Sequence, residues 1–223
     1  MKYVDPCDRT VLFGTGGLQA PIIYVIDLPY HPFEVGAAAR DCVSTIVKVP
    51  VNEWDDSLTP WVAPGLYHGD ADFKGEAAVT LEELLDEAVP AIERAEGLAP
   101  AKRAICGYSL GGLFALYAFV HSDRFSACGC LSGSVWYEGW VDHLRSLDFT
   151  AAGRYAFLSI GSKEKHARES ILHTVQDNME ACAEILRSQG CEADFVVGPG
   201  NHFDHAQERF AAGFKALDAF LNR

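Results

Sequence analysis

Residues 102–120 constrain this chain more than any other stretch. A short apolar run, Ala104-Ile105-Cys106, leads into Gly107-Tyr108-Ser109-Leu110-Gly111-Gly112. Leu113, Leu116, Tyr117 and Val120 then recur at helical spacing. A G-x-S-x-G pentapeptide between a buried strand and an amphipathic helix predicts a turn so tight that the serine takes a strained backbone conformation. Side chains two residues to either side would clash, which explains glycine at 107 and 111. The serine hydroxyl would then stand exposed at the carboxyl end of a strand, where reactive groups gather in open parallel sheets.

The remaining elements alternate. Strands are predicted over Ile22–Ile26, Ser44–Val49, Phe125–Leu131, Tyr155–Ile160 and Ala193–Val197, each an apolar or β-branched run closed by Gly or Pro. Helices are predicted over Gly36–Cys42, Trp136–Leu147, Ser170–Arg187 and Ala206–Leu221. A further helix runs from Thr80 to about Glu96. Thr80-Leu81-Glu82-Glu83 reads as its capping box, and Pro90 should kink or interrupt it. Alternating strands and helices mean βαβ units and a mostly parallel sheet with helices on both faces. No repeat or linker divides residues 1–223, so one domain is expected.

Residues 50–78 form the longest stretch without clear periodicity, and they mix aromatics with polar groups. A loop of that length in a compact domain usually serves a site. We read it as an ordered wall over Ser109, with Trp54, Trp61 and Trp136 as candidates to contact an apolar substrate group.

Charge and cysteines exclude several classes. A formal net charge of −13 disfavours nucleic acid or an anionic membrane as partner. No apolar run approaches the ~20 residues of a membrane span, and Met1 to Pro6 opens no signal peptide. Seven cysteines, an odd number with no C-x-x-C pair, read as reduced thiols in a cytoplasmic protein. No spacing of Cys, His, Asp or Glu suggests a metal site.

A serine hydroxyl needs a base to take its proton. Of eight histidines only His202 and His205 follow the last strand, and His202 comes directly after the Gly198-Pro199-Gly200-Asn201 turn. An acid should hold that imidazole in the right tautomer. Glu164, just past the strand ending at Ile160, is the first candidate, with Asp142 and Asp148 as alternatives. Developing negative charge needs backbone amides. Leu110, at a helix N-terminus, is one expected donor. Leu28, after the strand Ile22–Ile26, is the second, with Tyr30 next.

Taken together, these segments resemble the putative esterase branch of the α/β-hydrolases, which contains esterase D-like and siderophore (enterochelin-type) esterases. The resemblance rests on Ile23 to Asp27, Gly107 to Leu113, Phe125 to Trp136 with its Ser132-Gly133-Ser134 turn, and Asn201-His202-Phe203. One departure is Leu28, where the family often carries glycine. The resemblance implies an α/β-hydrolase fold, and no insertion after the elbow is large enough for a separate cap domain. It implies hydrolysis of a small carboxylic ester through an acyl-serine, with neither metal nor organic cofactor. An acyltransferase using the same serine, a siderophore esterase, and a non-catalytic binding member of the fold are the alternatives.

Overall fold

The computed structural model describes residues 2–7, 9–27 and 35–223. Seven strands form one sheet: β1 (Thr10–Leu12), β2 (Ile22–Asp27), β3 (Thr45–Pro50), β4 (Arg103–Tyr108), β5 (Ala127–Leu131), β6 (Tyr155–Gly161) and β7 (Glu192–Gly198). Their spatial order is β1-β3-β2-β4-β5-β6-β7. All neighbours run parallel except β1, which is antiparallel to β3.

The inner strands are near-continuous apolar runs because both faces of the sheet are covered. Alternate residues serve two cores. Ile22, Tyr24 and Ile26 of β2 point into one, and Ile23 and Val25 into the other. Helices α3 (Ala77–Glu82), α4 (Val89–Glu96), α5 (Leu110–His121), α6 (Trp140–Ser146) and α7 (Val175–Ser188) supply the first core. On the opposite face α1 (Val35–Ala39) and α8 (Ala206–Leu221) cover the second; the short α2 (Trp54–Ser57) stands near the strand ends. Leu110 through Val120 of α5 are all buried, so this helix is apolar on every side.

The backbone of α5 comes unusually close to the sheet. A Cβ on Gly107 would overlap the Gly111 carbonyl, one on Gly112 would lie 3.0 Å from Gly133 Cα, and one on Gly133 would overlap Cys130 Sγ. Glycine at 107, 112 and 133 is therefore a packing requirement.

Three expectations need correction. The capping box over Thr80–Glu83 does not form. The helix has already begun at Ala77, Thr80 Oγ1 donates back to the Glu76 carbonyl at 3.3 Å, and the Glu83 carboxylate accepts from the Lys2, Tyr3 and Val4 amides at 2.5, 2.8 and 3.2 Å. Glu83 does satisfy orphan donors, but those of a segment some 80 residues earlier, which local spacing cannot reveal. Pro90 does not interrupt its helix: a π-helical segment, Glu83–Ala88, runs into α4 and widens the coil just before the proline. The helix expected from Trp136 begins at Trp140, because Val135 to Gly139 are a turn, and a 3₁₀ segment Ser170–Thr174 precedes α7.

The close approach makes a prediction with an internal control. Gly107→Ala should lower stability by about 3 kcal/mol or more, since the clash is with backbone. Gly36→Ala, in α1 with open space around the added methyl, should be neutral or stabilising by up to about 1 kcal/mol. Urea unfolding of both variants reads the contrast; equal effects would contradict the packing account.

Candidate functional site

The carboxyl ends of β4, β5, β6 and β7 bring the predicted residues together. Ser109 follows β4 at φ 57° and ψ −124°, a conformation that L-residues rarely adopt. It is held there by its neighbours: its amide donates to the Leu131 carbonyl at 3.1 Å, and its carbonyl accepts from Gly112, Leu113 and Ser134 at 3.0, 3.1 and 3.0 Å. Its Oγ lies 3.1 Å from His202 Nε2 and 3.4 Å from Ser134 Oγ.

His202 sits on the loop after β7, and its Nδ1 is 2.8 Å from Glu164 Oε2. The loop is braced from below. Asn201 Oδ1 accepts from the Phe203 and Asp204 amides, while Asp204 Oδ2 accepts from the Asn201 amide. The Tyr108 hydroxyl donates to the His202 carbonyl at 2.6 Å. Burial pushes that hydroxyl's pKa up, so it stays a donor at neutral pH. Arg209 in turn donates to the Tyr108 hydroxyl at 2.6 Å, and to the Pro199 and Asn201 carbonyls at 3.0 and 3.1 Å.

Glu164 opens the 3₁₀ turn Glu164–His166 directly after β6, and its side chain is only 4% exposed. Besides facing His202, the carboxylate accepts from Ser132 Oγ and the Gly161 amide, both at 2.7 Å on Oε1. Arg209 Nη1 stands 4.0 Å from the same oxygen. Burial alone would raise this carboxyl's pKa. Hydrogen bonding to His202, the charge attraction there, and the bonds from Ser132 and Gly161 outweigh it and hold the group below the usual carboxylate range. The alternatives stand apart. Asp142 is exposed and pairs with Arg145 at 3.0 Å, Asp148 is exposed, and neither bonds to His202. His205 turns to Glu208, 3.2 Å away.

At the start of α5 the Leu110 and Gly111 amides have no acceptor among the described residues. They are orphan donors of a twelve-residue helix, next to Ser109 and at its positive end. Leu28 and Tyr30, the other expected amide donors, lie outside the described residues. Asp27, the last residue of β2, pairs with Lys48 at 3.0 Å.

Ser109 and Leu110 open on a cleft of about 990 Å³ whose wall is formed largely by residues 51–56 and 65–74. Trp54 and Trp136 both line it. Trp54 seats against the elbow: a Cβ on Gly111 would meet its ring at 3.1 Å. Trp61 does not line this cleft. It donates to the Glu138 carbonyl at 3.0 Å and packs on Tyr137, Trp140 and His143 with centroids 6.0, 6.4 and 4.9 Å away. Trp54 and Trp61 lie seven residues apart in the same stretch yet pack against different surroundings. Among the described residues no three His, Cys, Asp or Glu side chains converge as metal ligands would, and no helix is long and apolar enough to cross a membrane.

Sequence reasoning missed Ser132, Tyr108 and Arg209 as supports of the site. Arg209 carried a signal. It interrupts the apolar stripe of α8 beside Ala206, Phe210 and Phe214, and is only 5% exposed. A charge on a core-facing stripe asks for a buried partner.

This sheet order, with Ser109, Glu164 and His202 after β4, β6 and β7, is the α/β-hydrolase fold. A model of the family described as Putative esterase matches residues 32–212, and the chain belongs to that family. Two solved structures share the fold. An IroE-like serine hydrolase from Shewanella oneidensis superposes with TM-score 0.71 at 19% identity, covering 93% of this chain and 74% of that one. The siderophore hydrolase EstA from Aspergillus nidulans gives TM-score 0.75 at 18% identity, covering 96% and 90%. In sequence, 142 residues are 29% identical to the uncharacterized protein YbbA of Bacillus subtilis (strain 168), covering 62% of this chain. The match spans 57% of the length of YbbA.

The depressed Glu164 pKa has a testable sign. Its folded value lies below its ordinary 4.5, so the unfolded chain takes up the proton first. The stability it contributes is present above about pH 4.5 and is lost as pH falls through the folded pKa. Between pH 5 and 3, Glu164→Gln should therefore lose less stability than wild type. Chemical unfolding at several pH values measures this, and parallel curves would mean that the carboxylate is not held low.

Proposed function

We propose that the protein is a serine ester hydrolase with Ser109 as nucleophile, His202 as general base and Glu164 as the orienting acid. The observation that carries this reading is the unbroken line Ser109 Oγ–His202 Nε2, His202 Nδ1–Glu164 Oε2, at 3.1 and 2.8 Å. Both links are within hydrogen-bond reach, and the base is oriented by a buried, ionised carboxylate.

In the proposed first half-reaction His202 Nε2 takes the Ser109 proton as Oγ attacks the ester carbonyl. The carbonyl oxygen becomes an oxyanion beside the Leu110 amide, where the helix N-terminus favours negative charge. Leu28 is our candidate for the second donor. Collapse breaks the bond to the alcohol, which leaves with the proton from His202. Water then adds to the acyl-serine, giving up its proton to His202, and the acid is released as Ser109 is reprotonated. Ser132 and the Gly161 amide hold Glu164 so that one oxygen always faces His202. We assign hydrolysis over acyl transfer because the cleft wall at Glu53, Tyr67 and Asp70 to Asp72 is exposed to solvent, and transfer needs water kept out. Free thiols throughout fit a reducing cytoplasm.

A second reading narrows the substrate to a siderophore ester. It is supported by the named activity of the EstA neighbour and by the volume of the cleft, about 990 Å³.

Hydrolysis of short p-nitrophenyl esters tests the main reading. Ser109→Ala and His202→Ala should each lower kcat/KM by about 1000-fold or more, and Glu164→Gln should lower kcat by about 100-fold or more. A fluorophosphonate probe should label wild type at Ser109 and leave Ser109→Ala unlabelled. Equal hydrolysis by wild type and Ser109→Ala would end the proposal. A siderophore ester run in the same assay, cleaved no faster than the simple esters, would end the second reading.

A further inference from the structure

We propose that the Ser109 cleft selects esters whose alcohol or acyl part carries a positive charge, ahead of neutral and anionic esters of the same shape. This inference rests on the ester-hydrolase reading, and the site itself is defined by Ser109 and His202 independently of the charges around it.

Three observations converge. The first is an unbalanced charge. The described wall of the cleft carries five carboxylates, Glu53, Asp55, Asp56, Asp70 and Asp72, against Lys2 and Lys74. Both lysines are already engaged: Lys74 binds Asp56, and Lys2 lies 3.6 Å from Glu76 and over the Tyr3 ring. No described Lys or Arg pairs with Glu53, Asp55, Asp70 or Asp72. Residues 28–34, outside the description, contain no Lys or Arg that could restore the balance.

The second is the aromatic lining. Trp54, Tyr67, Phe73 and Trp136 face the same space. Carboxylates beside aromatic rings are a chemistry that recognises alkylammonium groups, through charge attraction and cation–π contact together. A neutral apolar group would use the rings alone, and an anion would meet like charges.

The third is the backbone at Glu53. This residue is in the left-handed region at φ 51°, where glycine or asparagine is the ordinary choice. Its carbonyl is fixed by the Asp56 and Ser57 amides at 3.0 and 2.8 Å. The chain thus keeps a glutamate in a conformation unfavourable to its side chain, at the wall of the cleft that holds Ser109. Asp55, two residues before the buried Ser57, has its pKa raised by burial and then by the charges of Asp56 and Asp70. That mutual repulsion is relieved when a cation enters.

The test uses three acetate esters of nearly equal shape: 2-(trimethylammonio)ethyl, 3,3-dimethylbutyl and 2-sulfonatoethyl. At low ionic strength kcat/KM should fall in that order, with the cationic ester about 10-fold or more above the neutral one. The advantage should shrink several-fold in 0.5 M salt, as charge attraction is screened. In the Glu53→Gln, Asp72→Asn double variant the cationic-to-neutral ratio should drop towards one. Equal rates for the three esters at low salt, or a ratio unmoved by neutralising the two carboxylates, would overturn the proposal. A separate arm needs no turnover: titration of Ser109→Ala with tetramethylammonium, followed by NMR at residues 52–56 and 65–74. Saturable shifts that vanish in the double variant are expected, and their absence counts against the proposal. If no ester is cleaved but the cation still binds, the hydrolase reading fails while the charge selectivity stands.

Discussion

The structure depends on the close approach of α5 to β4 and to the turn after β5. Gly107 has no room for a side chain there and Gly112 has little, and Ser109 takes its strained conformation between them. The strain is held by four backbone hydrogen bonds on Ser109, one through its amide and three through its carbonyl. Each of them comes from a segment that the contact itself positions. The same approach exposes the Leu110 amide beside the serine hydroxyl and presents Ser132 towards Glu164. Packing and chemistry therefore share a single origin: without the glycines the helix would stand off the sheet, and the serine would have no reason to face the strand ends.

A buried carboxylate forms the second centre. Glu164 is out of water, yet ionised, because its oxygens meet donors from β5, β6 and the His202 loop. An isolated carboxylate at this depth would take up a proton and could no longer stabilise a charged imidazole. Arg209 extends the network to the other face of the sheet through the Tyr108 hydroxyl. These six groups, Glu164, Ser132, the Gly161 amide, His202, Tyr108 and Arg209, act as a unit, so the worth of any one cannot be read from its own distances.

Much of this was legible in the sequence because it is local. The elbow is a contiguous pattern, the strands are contiguous apolar runs, and the late histidine follows a glycine-rich turn. His202 lies within hydrogen-bond reach of both Ser109 and Glu164, and chain order followed strand order closely enough in this parallel sheet for the three to be picked out. What escaped is non-local or depends on direction. Glu83 has helix-capping spacing, but it serves the amides of Lys2 to Val4. Trp61 shares a loop with Trp54, yet it packs on Trp140 and His143 instead of lining the cleft. Ser132 and Tyr108 have no pattern that sets them apart from ordinary strand-end residues.

Ser109 and Glu164 follow inner strands of the sheet, whereas His202 follows β7, which among the described residues lies at the edge and pairs only with β6. Val196 and Val197 on that strand are each 43% exposed. Edge strands open before central ones, since fewer neighbours hold them. On warming, His202 would therefore drift from Ser109 before the inner strands part. The contact between His202 and Ser109 thus depends on one edge strand and on the Arg209 brace beneath the loop that follows it.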